Sequence, residues 1–252
     1  MTDGPAAEPR RLPWRVAEVV EVIRETPRVA TLVLRVPGWP GHLPGQHVDV
    51  RLTGEDGSQA QRLYSIASAP EAPSLSLTVE RIADGEVSPY LVADVRAGDQ
   101  FELRGPIGGH FVWTAALGGP LFLIAGGSGV VPLMSMLRHR AAAASRVPAV
   151  LLYSSRSLGD VIYREELERL AANGDGMTVV HTLTRTRPSG WSGLSRRIDR
   201  AMLAEVGFSP SARPQIFICG PTSLVESAGQ LLLELGHETG GIKTERFGPT
   251  SG

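Results

Sequence analysis

Leu121-Phe122-Leu123-Ile124-Ala125-Gly126-Gly127-Ser128-Gly129-Val130-Val131-Pro132 is the stretch that decides the fold. An unbroken apolar run, residues 121–125, reads as a strand buried on both faces, as in a parallel sheet covered by helices. The glycines that follow permit a tight turn, and a helical pattern over residues 131–144 starts there with Pro132 in its first turn. Strand, glycine-rich turn and helix in that order bring free N–H groups and a positive helix end to where a phosphate can sit. The turn is not a GxGxxG fingerprint, and a close-packed β–α turn would read the same way.

Working outward, the alternation continues to the C-terminus. Strands are expected at 149–154, 178–183 and 215–220, and helices at 164–172, 198–206 and 223–235. Toward the N-terminus the character changes at Leu117-Gly118-Gly119-Pro120. Before it lie short alternating runs at 16–23, 29–36, 47–52, 63–66, 75–80 and 100–104, punctuated by Pro and Gly, which indicate an antiparallel sheet system. One helix is expected there, over 87–94, with Ser88 as its cap and Pro89 in its first turn. Closure into a small barrel is the economical solution, because it removes exposed edges. The chain thus reads as two domains, an antiparallel β-barrel over 12–117 and an open α/β parallel-sheet domain over 118–252.

Composition narrows the function. The 252 residues are 42% hydrophobic and 20% charged with a net charge of −1, a globular profile without the basic excess that non-specific nucleic-acid binding needs. The cations are one lysine, Lys243, and 24 arginines. Cys219 is the only cysteine, which excludes an intrachain disulfide framework, a multi-cysteine zinc site and a cysteine-ligated iron–sulfur cluster. Redox chemistry would need a bound organic cofactor or a metal without thiolate ligands. The start, MTDGPAAEPRRLPW, lacks the apolar core of a signal peptide, and the run 121–134 is broken by three glycines and a proline. A cytoplasmic protein without membrane insertion is expected. The six histidines are scattered without HExxH, and Gly127-Ser128-Gly129 lacks the spacing of a nucleophile elbow, so metal-dependent and serine-nucleophile hydrolysis are weak readings.

Two further motifs carry chemistry. In Arg62-Leu63-Tyr64-Ser65, Arg62 and Tyr64 share one side of a strand; Arg can hold a pyrophosphate bidentately and Tyr can lie flat on a ring system. In Cys219-Gly220-Pro221, a small polarisable side chain ends a late α/β strand, where ligands of open sheets lie. Taken singly, these are also ordinary strand and packing positions.

In this order, Arg-x-Tyr-Ser, Gly-Gly-Ser-Gly-Val-Val-Pro and Cys-Gly-Pro resemble the ferredoxin–NADP reductase superfamily, whose members pair an FAD-binding barrel with a nicotinamide-binding domain. The resemblance covers roughly residues 14–249 and implies a role for each matching position. Arg62 would contact the FAD pyrophosphate, Tyr64 would stack on the isoalloxazine, and Ser65 would hydrogen-bond near flavin N5. Val79 and Arg81, in Val79-Glu80-Arg81, would run alongside the flavin. Val87 and Ser88 match a second phosphate-binding element, and residues 105–111 the turn that closes the barrel. Gly127, Ser128, Gly129 and Val130 would approach the nicotinamide cofactor's pyrophosphate, with Pro132 initiating the helix. Cys219, followed by Gly220 and Pro221, would sit by the nicotinamide C4.

The tail, Ile242-Lys243-Thr244-Glu245-Arg246-Phe247-Gly248, resembles family C-termini that return to the flavin. Glu245 would then be a proton relay and Phe247 a cover for the ring. A final sheet strand with an exposed charge pair fits the same residues, and the tail differs from the plant-type ending, which stops on an aromatic residue.

The expected catalytic set is therefore Ser65, Cys219 and Glu245, with no metal. The second α/β strand ends Tyr153-Ser154-Ser155-Arg156 with no acid before Asp160; Ser155 and Arg156, with Arg185 or Arg187 after the next strand, suit a 2′-phosphate. FAD with NADPH is expected, NADH being the alternative donor. The resemblance implies an FAD-dependent NAD(P)H oxidoreductase that passes electrons to a separate partner: a ferredoxin, a flavodoxin-like protein or an oxygenase component. A reductase of free flavin or quinone, or a non-catalytic nucleotide-binding electron-transfer subunit, remains open on the same residues. With no cluster of its own, such a reductase would need another carrier.

Overall fold

The computed structural model describes residues 12–247. Most of the N-terminal segment read for a leader, and Gly248 of the tail motif, lie outside the described residues. The first half forms a six-stranded antiparallel sheet of β1 (Arg15–Thr26), β2 (Val29–Arg35), β3 (His47–Thr53), β4 (Gln59–Ser65), β5 (Leu75–Glu80) and β6 (Gln100–Ile107), ordered β4-β3-β6-β1-β2-β5. The alternation in the sequence becomes a core of Val19, Leu32, Leu34, Val48, Val50, Leu77 and Leu103, all fully buried. The edge strands meet at one end only. There Ile66 bridges Leu77, and the Ala67 N–H donates to the Ser76 carbonyl at 2.8 Å. Elsewhere no ladder joins β4 to β5, so the sheet curls into a barrel with a seam.

Helix α1 (Ser88–Ala93) packs Leu91 and Val92 into that core, with Pro89 in its first turn as expected. Ser88 does not cap it. The first-turn N–H groups receive no side-chain cap, and the Ser88 hydroxyl instead accepts the Ile82 N–H at 3.0 Å, fastening the loop after β5.

The second half forms a five-stranded parallel sheet of β7 (Leu121–Gly126), β8 (Ala149–Ser155), β9 (Met177–Leu183), β10 (Gln215–Pro221) and β11 (Ile242–Phe247), ordered β11-β10-β7-β8-β9. All six residues of β7 are buried, and each large apolar side chain so buried contributes roughly 1.5–3 kcal/mol. Helices α2 (Val130–Ala142) and α3 (Arg164–Ala172) cover one face, while α4 (Arg200–Val206) and α5 (Thr222–Glu234) cover the other. Helix α2 begins at Val130, so Pro132 stands third in it rather than initiating it. Phe111, Trp113, Val29 and Ala67 from the first half join the core on the α2 face, and Phe111 meets Phe217 edge-on at 5.2 Å.

The chain leaves β7 toward β8 and β9 on one side and returns as β10 and β11 on the other. The carboxyl ends of β7 and β10 therefore flank a topological switch point, where open α/β sheets form a ligand crevice.

Candidate functional site

A cleft of about 520 Å³ lies at that switch point, between the carboxyl ends of β7, β8 and β10 and the end of β5. Its floor is made by glycines that serve different needs. A Cβ on Gly129 would stand 2.1 Å from the Cys219 carbonyl oxygen, and one on Gly126 would stand 2.7 Å from Leu224 Cδ1. These two glycines let the β7 turn lock against the end of β10. Gly220, at φ +155°, would put its own Cβ 3.1 Å from Gly126. Gly127 differs: its φ is +53°, no atom lies within 4 Å of a built Cβ, and with Ser128 it lines the cleft. Gly129 and Val130 are buried, so any contact they make with a ligand would come from backbone.

At the end of β8, Ser155 and Arg156 also line the cleft. The Ser155 hydroxyl is buried and has no hydrogen-bond partner, a penalty of about 1–3 kcal/mol that a ligand oxygen can relieve. The chain after β9 runs alongside: Thr184 N–H donates to the Ser155 carbonyl and Arg185 N–H to the Arg156 carbonyl, each at 2.9 Å. Arg156 and Arg185 are thereby neighbours, both exposed. Arg187 instead donates to the Ser195 hydroxyl at 3.1 Å.

Cys219 is buried and in register with Glu245 on the adjacent parallel strand β11. Burial, then the nearby Glu245 carboxylate, pushes the Cys219 thiol well above its ordinary pKa, so it stays protonated. Burial alone pushes Glu245 up to about 7. Two residues earlier, Lys243 Nζ lies 5.1 Å from the Phe217 ring centroid and donates to the Val112 carbonyl at 3.3 Å, tying β11 to the segment after the barrel. Phe247, half-exposed, lines the cleft. The tail is thus a final sheet strand, but its charged pair is not a solvent pair: Glu245 is mostly sequestered and Lys243 is engaged.

The barrel seam supplies the other wall. Arg62 and Tyr64 lie on β4, opposite Val50 and Val48, so they share the inward-facing side of that edge strand. Tyr64 packs on the barrel core, Ser65 is buried at the strand end, and burial raises the Tyr64 phenol. Across the seam, Glu86 meets Arg62 Nη2 at 3.3 Å, and Val79 is buried while Arg81 is exposed. The donor set fits a dinucleotide: a guanidinium and an aromatic ring on one edge, with Val87, Ser88 and Arg81 opposite. The other cleft fits a second nucleotide through the orphaned Ser155 hydroxyl and the open backbone at Gly127.

The structure therefore brings Gly127, Ser128, Ser155, Arg156, Gly220, Pro221, Phe247 and Arg81 to one cleft, with Cys219 and Glu245 beneath it. Arg62, Tyr64, Ser65, Val79, Val87 and Ser88 belong to the seam. Thr26, Arg28, Ile82, Ile162, Thr184 and Leu224 also line the cleft. Arg28 is held there by backbone exchange with Arg81 (Arg81 N–H to Arg28 carbonyl, 2.8 Å). The β1–β2 turn carries no sequence signal for this; only the fold delivers it. Among the described residues no group of His, Cys, Asp and Glu could hold a metal ion, and no helix is long and apolar enough to cross a membrane.

A curled antiparallel sheet with a seam, followed by a parallel sheet with a cleft at its switch point, is the arrangement of a two-domain oxidoreductase fold with an FAD-binding and an NAD-binding domain. Residues 16–113 match the oxidoreductase FAD-binding domain family and residues 123–230 the oxidoreductase NAD-binding domain family. Ferredoxin–NADP reductase B of Sorangium cellulosum is 36% identical over 200 residues, covering 76% of this chain and 80% of that protein. The glycine betaine monooxygenase reductase subunit of Pseudomonas aeruginosa is 33% identical over 236 residues, 92% of this chain but 63% of that relative, so the chain spans less than two thirds of its length. The flavohaem-like FAD/NAD binding domain of nitric oxide dioxygenase from Vibrio cholerae superposes with a TM-score of 0.83 at 25% identity, covering 93% of this chain and 99% of that one. The chain belongs to the ferredoxin–NADP reductase superfamily.

Proposed function

We propose that this chain takes a hydride from NADPH onto bound FAD and passes the electrons to a separate protein, a ferredoxin or the iron–sulfur component of an oxygenase. The observation that carries the reading is the single cleft in which Arg81, beside the flavin seam, faces Gly127, Ser128 and Pro221 of the nucleotide domain. Bound FAD supplies the step nicotinamide lacks, accepting two electrons together and releasing them singly.

The chain's own residues do the positioning. Arg62 holds the FAD diphosphate, Tyr64 backs its ring, and Ser65 donates from the strand end. Gly127 and Ser128 admit the nicotinamide nucleotide's diphosphate, Ser155 and Arg156 take its 2′-phosphate with Arg185 alongside, and Phe247 covers the cleft. Cys219, neutral and buried beneath the cleft, backs the turn against which the reacting ring would lie, and Glu245 holds a proton one strand away. Alignment of this kind can supply up to roughly 7–11 kcal/mol of a barrier.

Relatives named as reductase subunits of monooxygenases support an oxygenase or ferredoxin as acceptor. An absorbance spectrum of the purified protein before and after anaerobic NADPH tests the donor half. Flavin bands that bleach are expected; absence of flavin, or bands that neither NADPH nor NADH bleaches, overturns it.

A further inference from the structure

Helix α2 starts at the glycine turn of the nucleotide cleft, and its middle turns grip the chain that follows the flavin strand. Ser135 Oγ donates to the Ser68 carbonyl at 2.7 Å, and Arg138 Nη1 donates to the Ala67 carbonyl at 2.8 Å. His139 Nε2 accepts the Ala115 N–H, so its Nδ1 carries the proton shared with Glu71 at 2.7 Å. Ala67 and Ser68 come directly after Ser65 and Ile66, and they close the barrel by bonding Ser76. Arg138 is the most constrained of these groups. Its guanidinium forks onto Glu166 at 2.9 and 2.7 Å and lies over the Tyr163 ring at 4.8 Å. Tyr163, held at φ +59°, in turn bonds Thr78 on β5.

We infer that Arg138 is a positioning residue: clamped by Glu166 and Tyr163, it sets the distance between the glycine turn at the head of α2 and the flavin strand ending at Ser65. Three points carry this. The guanidinium lines a separate groove of about 980 Å³ with Ser68, Tyr163 and Glu166 and is not part of the nucleotide cleft, so it has no direct contact with a nucleotide bound there. It bonds a main-chain carbonyl, so its position is passed to backbone and not to a mobile side chain. The planar fork makes the position definite, which a lysine ammonium cannot reproduce. Both edges of the barrel seam are thereby referred to one rigid cluster, through Ala67 on one side and Thr78 on the other.

The inference rests on the reading that hydride passes between the two sites, and its test separates the two. Arg138→Met, Arg138→Lys and Glu166→Gln are compared with wild type for FAD content, nucleotide Kd, the rate of flavin reduction in stopped flow, and amide hydrogen exchange over residues 67–76. Wild-type flavin that no nicotinamide nucleotide reduces would overturn the functional reading itself. With wild type active, Arg138→Met should slow reduction roughly ten- to a hundredfold, since displacement of reacting groups by about 1 Å can cost a hundredfold. Nucleotide Kd should stay within about twofold, and exchange at 67–76 should quicken. Arg138→Lys should recover only part of the rate, and Glu166→Gln, which keeps the guanidinium, should fall between. If Arg138→Met does not fold, Glu166→Gln decides alone. Reduction within about twofold of wild type in every folded variant would overturn the inference, as would losses of rate matched by equal losses of FAD or nucleotide binding.

Discussion

Glu245 stands in register beside Cys219 on neighbouring parallel strands, and burial favours the neutral form of each. For Glu245 the folded-state pKa of about 7 lies above the ordinary 4.5. The native state therefore binds more protons than the unfolded one between those values, and stability falls as pH rises through that window. Below 4.5 both states are protonated and nothing is lost; above about 7 the loss is complete, with an upper bound of roughly 3–4 kcal/mol. Glu245→Gln should remove this slope. Thermal melts from pH 4.5 to 8 should show the wild type losing ground against the variant until near pH 7 and then running parallel. Parallel melts throughout would mean that Glu245 is ionised in the folded protein.

Cys219 and Ser65 lie at the two strand ends between which the rings would meet. Cys219→Ala or Ser65→Ala should slow flavin reduction by more than about tenfold, a loss above roughly 1.4 kcal/mol, with FAD still bound. The protonated, buried thiol should also resist iodoacetamide at pH 8 in the native protein and react once guanidinium unfolds it. Wild-type reduction rates in both variants would remove these residues from the hydride path.

The choice between donors should rest on Arg156. Arg156→Ala should lower the ratio of kcat/KM for NADPH over NADH by about tenfold or more, as loss of a charge-assisted phosphate contact requires. Arg185→Ala should have a smaller effect in the same direction. An unchanged ratio in the Arg156 variant would assign the 2′-phosphate elsewhere.

The two outer glycines of Gly127-Ser128-Gly129 should respond very differently to alanine. At Gly129 the new methyl would collide with the Cys219 carbonyl oxygen at 2.1 Å, in a backbone that cannot give way. A loss above about 4 kcal/mol, read as failure to accumulate folded protein, is expected. At Gly127 the methyl meets open space and the cost is the left-handed φ of +53°, about 1–2 kcal/mol or a few degrees in Tm. Equal melting temperatures for the two variants would contradict the interlock.

Much of this was legible in the chain. The strand at 121–125 announced itself because burial on both faces leaves no polar residue in it, and β5 matches its expected bounds because its alternation is clean. β4 begins at Gln59, four residues before the expected start, since Gln59-Ala60-Gln61-Arg62 carries little apolar signal and owes its strand to the ladder with β3. α4 starts at Arg200 rather than 198 because the Asp199 carboxylate caps it, accepting the Met202 N–H at 2.8 Å. Site residues on motifs could be named from sequence. Arg28 and Thr184 could not, because each reaches the cleft through backbone and side-chain bonds to a strand or turn distant in sequence.

The glycine contacts at the ends of β7 and β10 have a practical consequence. Gly126, Gly129 and Gly220 weld the diphosphate turn to the Cys219 turn, whereas Ser155 and Arg156 sit at the end of another strand. The end of the cleft that would read the donor's phosphate thus lies on a different strand from the turn that would orient its reactive ring, although the two strands are neighbours in the sheet. Engineering a switch of donor can therefore be confined to the outer end, leaving the turnover machinery untouched.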